Sequence, residues 1–513
     1  MNVNTRKWAT LAIGCLAVMV LAIDMTALHL AVPHLIRDLD PSATQILWIA
    51  DVYGFVLAGL LVTMGYVGDR IGRRRLLLIG ATAFAAASAL TAYAGSAEQL
   101  IAARALLGVA GATIMPSTLS LIRNVFTDPR ERTTAIGIWS GVTGAGVGLG
   151  PVVGGALLDH FWWGSVFLIN LPIMALVIVA GVVVLPESRN PRPGRFDVPS
   201  VPLSIVGMLG VVYAIKESAH GGVTQAEVGV AALVGAVGLA LFGWRQTRVA
   251  EPLLDVRLFR ARAFSGSVGV EMFAMFALVG QSLIFSQYFQ LVLGWSPLKA
   301  GLAGLPGAVA SMAGGMLAAT LIGVLGRART IALGMTFGAV AFSLYTLTSV
   351  DSGYLTLLVA MVPCGFGMGL ALTVTGDTVL ATVSKERAGA ASAVSETAME
   401  LGGALGLAVL GSILNAAYRE HLDPPAGLPA AAEPAVRDSI GGALEAAAAL
   451  PAHLAGEVLR AAQTAYVDGM HLALVCSAGF AAAVGAIALI TLRGVPKVIV
   501  EADDAGEPVP ANR

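Results

Sequence analysis

Six carboxylic acids lie within strongly apolar stretches of this 513-residue chain and are its clearest candidates for chemistry. They are Asp24, Asp51, Glu271, Asp377, Glu396 and Glu400. A carboxyl group removed from water holds its proton more tightly, whereas a nearby cation favours the ionised form. A proton and a cationic ligand can therefore compete for one group. These residue types predict cation binding coupled to protonation.

Asp24 is the single charge in the first apolar stretch, Trp8 to Pro33. At about 1.5 Å per residue, this stretch is long enough to cross a bilayer as a helix. A carboxylate inside a membrane costs several kcal/mol unless it is protonated, paired or facing water. We therefore expect Asp24 to bind a cation near the outer mouth of a cavity.

The other acids have a spacing that fits the same chemistry. Glu396 and Glu400 are four residues apart and so share one helix face, and Glu271 lies in an earlier apolar segment. Aromatic rings can add cation–π contacts, and the candidates for such a lining are Trp48, Tyr53 and Phe276. In an alternative interpretation, some acids are structural partners of helix ends or of Arg104, which lies inside an apolar segment. That alternative fits Asp377 better than Asp24 or Glu396.

Composition predicts an all-α polytopic membrane protein. Hydrophobic residues make up 57% of the chain and charged residues 12%, about half the charge of a soluble domain. The net charge of −1 gives no reason to expect a nucleic-acid partner. The sequence has no Gly-rich Lys-Ser/Thr loop for nucleotides, no cluster of metal ligands and no nucleophilic triad. We therefore expect neither an enzyme nor a metal or cofactor, and an ion gradient as the energy source.

Fourteen apolar segments recur along the chain, which predicts both termini on one side of the membrane. Of the 31 Lys and Arg residues, 24 lie at the termini or in the loops on the termini's side and six on the other, so both termini are predicted to be cytoplasmic. The segments cover about 8–32, 45–67, 75–95, 98–122, 133–158, 165–185, 200–218, 226–244, 264–290, 298–324, 329–349, 354–380, 389–415 and 468–492.

Two charged or Pro-rich linkers divide these segments into six, two and six. The predicted units are a six-helix bundle over 1–190, an inserted pair over 191–262, and a second six-helix bundle over 263–513. The second bundle carries a long outer loop at about 416–468, expected to be partly helical. Similarity between the bundles is faint, and its best trace is GDRIGRRR (68–75) against GVLGRART (323–330). Two bundles of related units are a common plan for transporters.

Two glycine-containing motifs are more ordered than generic helix packing explains. GYVGDRIGRRR (65–75) predicts a tight turn in which an acid caps a helix or pairs with arginine, and its candidates are Gly65, Asp69, Arg70, Gly72 and Arg73. GVTGAGVGLGPVVGG (141–155) predicts a small-residue surface for a close helix crossing, bent at Pro151. The candidates of the second motif are Gly144, Gly148, Gly150, Pro151, Gly154 and Gly155.

These motifs resemble those of the major facilitator superfamily, in particular its fourteen-helix drug–proton antiporters. The turn after the second segment looks like the superfamily's signature loop, Arg104 like its fourth-helix arginine, and GLGPVVGG like its antiporter motif. LAIDMTALHLAVPHL (21–35), LWIADVYGFVLAG (47–59), WWGSVFLINLP (162–172) and SAVSETAMELGGALG (392–406) are similar to the quaternary-ammonium and multidrug exporters. The resemblance covers nearly all of the chain except 416–468.

The resemblance implies a major facilitator fold and a proton-driven exporter of lipophilic cations, such as quaternary ammonium compounds and dyes, in a bacterial plasma membrane. Asp24, Asp51, Glu396 and Glu400 match acidic positions of that branch, whereas Ser395 stands where some relatives have a further carboxylate. We expect cationic drugs, protons and membrane lipid as partners of a monomer. Two alternatives remain: a dedicated exporter of one endogenous metabolite or antibiotic, and a membrane sensor or channel without coupled transport.

Overall fold

The computed structural model describes residues 2–41, 43–189, 197, 199–221, 226–249, 252–384 and 387–497, and within these ranges the regular structure is helical. A 3₁₀ turn (Val256–Arg260) precedes α10, and a π-helical turn (Tyr288–Val292) follows it. The helices are α1 (Val3–Leu39), α2 (Ala43–Ile71), α3 (Arg73–Ala92), α4 (Ala97–Val125), α5 (Pro129–Leu158), α6 (Ser165–Leu168), α7 (Asn170–Val184), α8 (Ser200–Gly221), α9 (Ala226–Gln246), α10 (Arg262–Gln287), α11 (Pro297–Leu325), α12 (Arg327–Tyr345), α13 (Tyr354–Ala381), α14 (Ala388–His421), α15 (Glu433–Asp438), α16 (Ile440–Ala448) and α17 (Ala452–Thr491).

Thirteen spans in the described part of the chain are long and apolar enough to cross a membrane. The short α6 and α7 together form one of these spans, Ser165–Val184. The predicted segment that is not among these thirteen spans, at about 200–218, corresponds to α8, whose apolar stretch is Ser200–Ile215. The predicted all-helical, multi-pass architecture is therefore confirmed.

The helices pack as two sets with matching neighbours. In the first set, α1 packs on α5, α2 on α4, and α3 on both α4 and α7. In the second, α10 packs on α14, α11 on α13, and α12 on both α13 and α17. Where the sets meet, α5 packs on α11 and α2 on α14. The same pairing occurs in both sets, although their sequences share little.

The faint sequence repeat marks two equivalent turns. Gly72, with φ +112°, precedes Arg73 at the start of α3, and Gly326, with φ +81°, precedes Arg327 at the start of α12. Both glycines adopt positive φ values that other residues rarely take. Both arginines are buried, with 1% and 2% exposure. The repeat thus reflects one local geometry used twice.

The inserted pair is held together by a close glycine crossing. A Cβ atom on Gly210 of α8 would lie 2.7 Å from Cα of Gly235 on α9, so the two backbones touch. At the end where α8 begins, Arg245 donates to both carboxylate oxygens of Asp197, at 2.7 and 3.0 Å. These hydrogen bonds lower the pKa of Asp197 below its usual value. The pair packs on α2 and α14 through α8.

The region predicted as a loop at about 416–468 is mostly helical. Helix α14 continues to His421, α15 and α16 follow, and α17 begins at Ala452 rather than near 468. Tyr466 anchors the early part of α17 by donating to the carbonyl of Ile284 at 2.7 Å. The predicted start of the last segment was wrong because α17 begins before its apolar run. The charged and small residues that precede the run are already helical.

The start of α1 and the end of α17 lie on one face of the helix bundle. Trp8 at the start of α1 contacts Phe126 after α4, with ring centroids 5.2 Å apart, and Lys497 after α17 donates to the carbonyl of Gly323 in α11 at 2.8 Å. This face also carries the end of α2, with Arg70, and the start of α3, with Arg74. We call it the arginine-rich face and the other end of the bundle the opposite face.

Candidate functional site

Asp24 lies in the interior of the first helix set, where it is fully buried. Arg104 of α4 donates from Nη1 to Oδ2 of Asp24 at 2.8 Å, and Asn170 of α7 donates from Nδ2 to Oδ1 at 2.9 Å. Asn170 also donates to the hydroxyl of Ser88 at 3.1 Å. Asp24 therefore joins α1, α4 and α7 through a neutralised ion pair.

Aromatic rings enclose the cation of this pair. Arg104 lies over the ring of Tyr53, 4.9 Å from its centroid, and 6.0 Å from the centroid of Phe167. The Arg104 guanidinium also donates to the carbonyl of Ile49 at 3.3 Å. The structure thus favours, for Asp24, the alternative in which an acid is the structural partner of Arg104. Asn170 was not among the predicted residues, although a lone amide at the start of an apolar helix was a usable signal.

A second group of acids lies in the second helix set. Glu271 of α10 and Glu396 of α14 are each 1% exposed, and Glu400 is half-buried one turn further along α14. Ser395 donates its hydroxyl to Oε2 of Glu271 at 2.5 Å. Glu396 interacts electrostatically with both Glu271 and Glu400. We call Glu271, Glu396 and Glu400 the acid cluster.

The acid cluster contains polar atoms without a protein partner. Within the described ranges, Oε1 of Glu396 and the hydroxyls of Ser392 and Thr397 on the same helix accept and donate no hydrogen bond. Neither Glu271 nor Glu396 forms an ion pair with a described basic residue. Buried polar groups in proteins nearly always have a partner, so water, a proton or a ligand is expected here.

The aromatic candidates are dispersed. Tyr53 covers Arg104, and Phe276 is 6% exposed and packs on Phe480 with ring centroids 5.3 Å apart. Trp48 is 40% exposed and contacts Tyr213 of α8, 6.3 Å between ring centroids. Asp51, on the same helix as Trp48, is half-buried. Tyr53 also interacts electrostatically with Glu400 of the acid cluster, whereas Phe276 and Trp48 pack on Phe480 and Tyr213.

The first motif joins the two helix sets at the arginine-rich face. Asp69 accepts hydrogen bonds from Arg73 at 2.6 Å and from the backbone N–H groups of Gly389 and Ala390 at 3.0 and 3.1 Å. Those two N–H groups belong to the first turn of α14. A Cβ atom on Gly65 would lie 2.4 Å from the carbonyl oxygen of Gly389, so only glycine fits. The predicted capping and pairing by Asp69 is the observed geometry.

Asp377 is a structural partner of arginine, as the alternative interpretation favoured, but its partners Arg132 and Arg327 were not predicted. Asp377 of α13 binds Arg132 of α5 and Arg327 of α12, each at 2.8 Å, and all three side chains are at most 2% exposed. Arg123 of α4 donates to the carbonyls of Leu380 and Val383 at 3.0 and 3.2 Å. The predicted segment bounds at 122, 133 and 329 leave these arginines in loops. They lie within helices instead, and Arg123 and Arg132 reach from the first helix set to the second.

The glycines of the second motif lie on two different sides of α5. A Cβ atom on Gly150 would collide with Thr26, and one on Gly154 would lie 3.1 Å from Ala27, so these glycines permit the close approach of α1. By contrast, Cβ atoms on Gly144 and Gly155 would meet nothing within 4 Å. The side chain of Pro151 lies outside the described residues.

The seam between the helix sets is closed at one end. Gly137, near the arginine-rich end of α5, would place a Cβ atom 2.8 Å from Cα of Gly315 on α11. Two turns further towards the opposite face, a Cβ atom on Gly144 would meet nothing within 4 Å. A Cβ atom on Gly148 would lie 3.9 Å from its nearest neighbour, the side chain of Leu305. The conformation is therefore closed at the arginine-rich face and looser towards the opposite face.

Comparison with known proteins places the chain in a family. Residues 14–407 match the model of the Major Facilitator Superfamily, so the chain belongs to this superfamily. The solved structure of the human organic anion transporter MFSD10 (TETRAN) shares its fold, with a TM-score of 0.60 at 12% identity, covering 94% of this chain and 99% of that one. The chain is accordingly a multi-pass membrane transporter and not an enzyme.

Two bacterial relatives match almost the whole length. The multidrug efflux pump LfrA of Mycolicibacterium smegmatis is 47% identical over 489 residues, which cover 95% of this chain and 97% of LfrA. The methyl viologen resistance protein SmvA of Salmonella typhimurium is 36% identical over 469 residues, which cover 91% of this chain and 95% of SmvA. The resemblance to the multidrug exporters is thereby confirmed.

Proposed function

We propose that this transporter exports lipophilic cationic drugs and antiseptics, such as quaternary ammonium compounds and dyes, in exchange for protons. It does so by alternating access across a bacterial plasma (inner) membrane, with both termini cytoplasmic and the chain acting as a monomer. The main support is the acid cluster, because buried Glu396 has no described basic partner and lies beside two further acids. The functions for which LfrA and SmvA are named, multidrug efflux and methyl viologen resistance, agree with this choice.

The acid cluster could exchange ligands through Glu400. Of its three members, Glu400 is the least buried and lies about 6 Å along α14 from Glu396, towards the opposite face. In the conformation described, protons would reach Glu400 first and then Glu396 and Glu271. When the arginine-rich face opens, a cation would bind the same carboxylates and displace the protons. Both ligands compete for one set of groups, which couples their movements.

Asp24 takes a different part in this proposal. Arg104 neutralises it, so the pair supplies no net charge to attract a cation. We propose that the pair fixes α1 against α4 and α7, and that Asp51 and Glu400 present negative charge closer to the seam. Direct contact of Asp24 with a cation stays a prediction for another conformation, in which Arg104 would have to move.

The proposal is tested by ethidium transport in proteoliposomes with an imposed pH gradient. Wild-type protein is expected to move ethidium against its gradient until the proton gradient is collapsed. Glu396→Gln should reduce coupled transport at least tenfold, because the amide cannot exchange a proton for a cation. Glu457→Gln, at an exposed position of α17, is the matched control and should transport normally.

The same assay separates the alternatives. A dedicated metabolite exporter would respond to the pH gradient yet fail to move ethidium, methyl viologen and a quaternary ammonium compound alike. A sensor or channel would show no dependence of transport on the pH gradient. Normal coupled transport by Glu396→Gln would show that the acid cluster is not the coupling site.

A further inference from the structure

A groove of about 670 Å³ lies outside the seam, between α2 and the inserted helix pair. Its walls are mostly aliphatic, with Trp48 and Phe55 from α2, Tyr213 from α8, and Val230 and Glu227 from α9 among the lining residues. Trp48 is near the start of α2, Tyr213 is in the second half of α8, and Glu227 is in the first turn of α9. The groove therefore lies in the half of the bundle next to the opposite face.

Three aromatic rings are grouped along this groove. The centroid of Trp48 is 6.0 Å from that of Phe55 and 6.3 Å from that of Tyr213, and Phe55 and Tyr213 are 6.1 Å apart. Trp48 and Tyr213 are nearly parallel, at 27°. Aromatic faces attract organic cations, most strongly where water is excluded. A simple lipid chain would gain nothing specific from such a group of rings.

The charge at the groove has the sign that suits a cation. Glu227 is exposed, and among the described residues that line the groove it is the one with a charged side chain. The volume lies within the range of about 300–1,000 Å³ that is usual for small-molecule sites. Aliphatic walls, aromatic faces and one carboxylate together match a molecule with a delocalised or shielded positive charge and a large hydrocarbon surface.

The floor of the groove leads towards the acid cluster. Phe55 packs with Met208 and Val212 of α8, and Leu401 of α14 packs against this group. Leu401 is the residue next to Glu400. The group of side chains beneath the groove therefore contacts α14 at the residue next to the least buried acid of the cluster.

We propose that this groove is a second binding site for lipophilic cations, open to the membrane beside α2, α8 and α9. It would hold the hydrocarbon and aromatic parts of the molecule, with the cation near the ring group and Glu227. The choice of occupant rests on the proposed function. The site is separate from the acid cluster, and in this proposal the role of the inserted helices α8 and α9 is to form one of its walls.

The test is quenching of Trp48 fluorescence by tetraphenylphosphonium in purified protein reconstituted into nanodiscs. The chain has seven tryptophans, so the Trp48 signal is obtained by subtracting the emission of Trp48→Phe from that of the protein with Trp48. All measurements use a Glu396→Gln background as well as the wild type, so that binding at the acid cluster does not contribute. We expect saturable quenching in both, and weaker quenching by the uncharged analogue triphenylphosphine oxide.

Two groove variants and one matched control make the test specific. Val230→Phe fills the groove and Tyr213→Leu removes one ring, and each should weaken binding about five- to tenfold. Val237→Phe makes the same change on α9 at an exposed position that does not line the groove, and should leave binding unchanged. Thermal unfolding of each variant establishes that it is folded. If one groove variant does not fold, the other alone is enough to test the site.

The outcomes separate the two proposals. Equal quenching in wild type, Val230→Phe and Tyr213→Leu would overturn the groove site, whatever the transport assay shows. Quenching of Trp48 by phospholipids with brominated chains, without saturable quenching by tetraphenylphosphonium, would identify the occupant as lipid and also overturn it. Saturable quenching in a protein that fails to exchange protons for ethidium would support the groove while refuting the proposed function.

Discussion

At the scale of single residues, the buried acids divide according to their partners. Asp24, Asp69 and Asp377 each bind at least one arginine, and each joins helices that are distant in sequence. Glu271 and Glu396 bind none among the described residues, and their local partners are hydroxyl groups or absent. A paired acid is a poor site for exchange, because its cation is already supplied. The unpaired glutamates are therefore the stronger candidates for proton coupling.

Removal of one member of the Asp24–Arg104 pair should be more harmful than removal of both. Asp24→Asn leaves a buried guanidinium without a counter-charge, which should cost about 3–5 kcal/mol of folding free energy. Asp24→Asn combined with Arg104→Gln removes both charges and should recover much of that loss. The measurement is thermal unfolding of purified single and double variants in one detergent, evaluated as a double-mutant cycle.

The result also distinguishes the two roles considered for Asp24. If Asp24 were mainly a binding group for the transported cation, Asp24→Asn would lower transport with little change in stability. The double variant would then be no more stable than Asp24→Asn alone, which would contradict a structural pair.

The sequence was informative about acids and much less so about their partners. A carboxylate in an apolar run is visible because its burial is costly, which is how Asp24, Glu271 and Glu396 were found. Whether a buried acid lies next to an arginine depends on how each helix is rotated about its axis and on how far it is shifted along that axis. Those quantities are set by packing between distant segments, which one sequence does not reveal.

At the scale of helices, elements extend beyond their apolar runs. Helix α5 begins at Pro129, where Asp128 caps it, so Arg132 lies within the helix although the predicted segment begins at 133. Likewise α12 begins at Arg327 rather than near 329. Both buried arginines at these helix starts bind Asp377. Hydropathy therefore found the helices correctly and misplaced the residues that join them.

The close contact of α2 with α14 predicts a specific effect of one methyl group. Gly65→Ala would put a Cβ atom 2.4 Å from the carbonyl oxygen of Gly389 and 2.7 Å from Cβ of Ala393. The closed arginine-rich face should therefore be destabilised, and the population should shift towards a conformation open at that face. Spin labels on the ends of α2 and α14 at this face should report longer distances by double electron–electron resonance.

A glycine that makes no close contact provides the control. Gly243→Ala on α9 would add a Cβ atom with nothing within 4 Å, and should leave the distance distribution unchanged. An unchanged distribution in Gly65→Ala as well would show that the α2–α14 contact does not hold this face closed.

At the scale of the whole molecule, two helix sets with the same internal pairing meet along one seam. Polar contacts across the seam are concentrated at the arginine-rich face, at Asp69 and around Asp377. The fourteen-segment pattern predicted the multi-pass helical architecture, whereas its division into six, two and six stays a prediction. It could not predict this seam, because the charges that close it were counted as loop residues. The exact domain limits at 190 and 262 stay predictions.

The distribution of arginine also predicts how the molecule is oriented in the membrane. If the positive residues mark the cytoplasm, Arg248 after α9 faces the cytoplasm and Glu457 of α17 faces the exterior. Cys15, Cys364 and Cys476 are first replaced, and single cysteines are then introduced as Arg248→Cys and Glu457→Cys. A membrane-impermeant maleimide on intact cells should label the cysteine at 457 and spare the one at 248, whereas permeabilised cells should label both.

The reverse pattern on intact cells would place the closed face outside. Proton entry and drug release would then exchange sides, and the direction of export proposed above would be untenable.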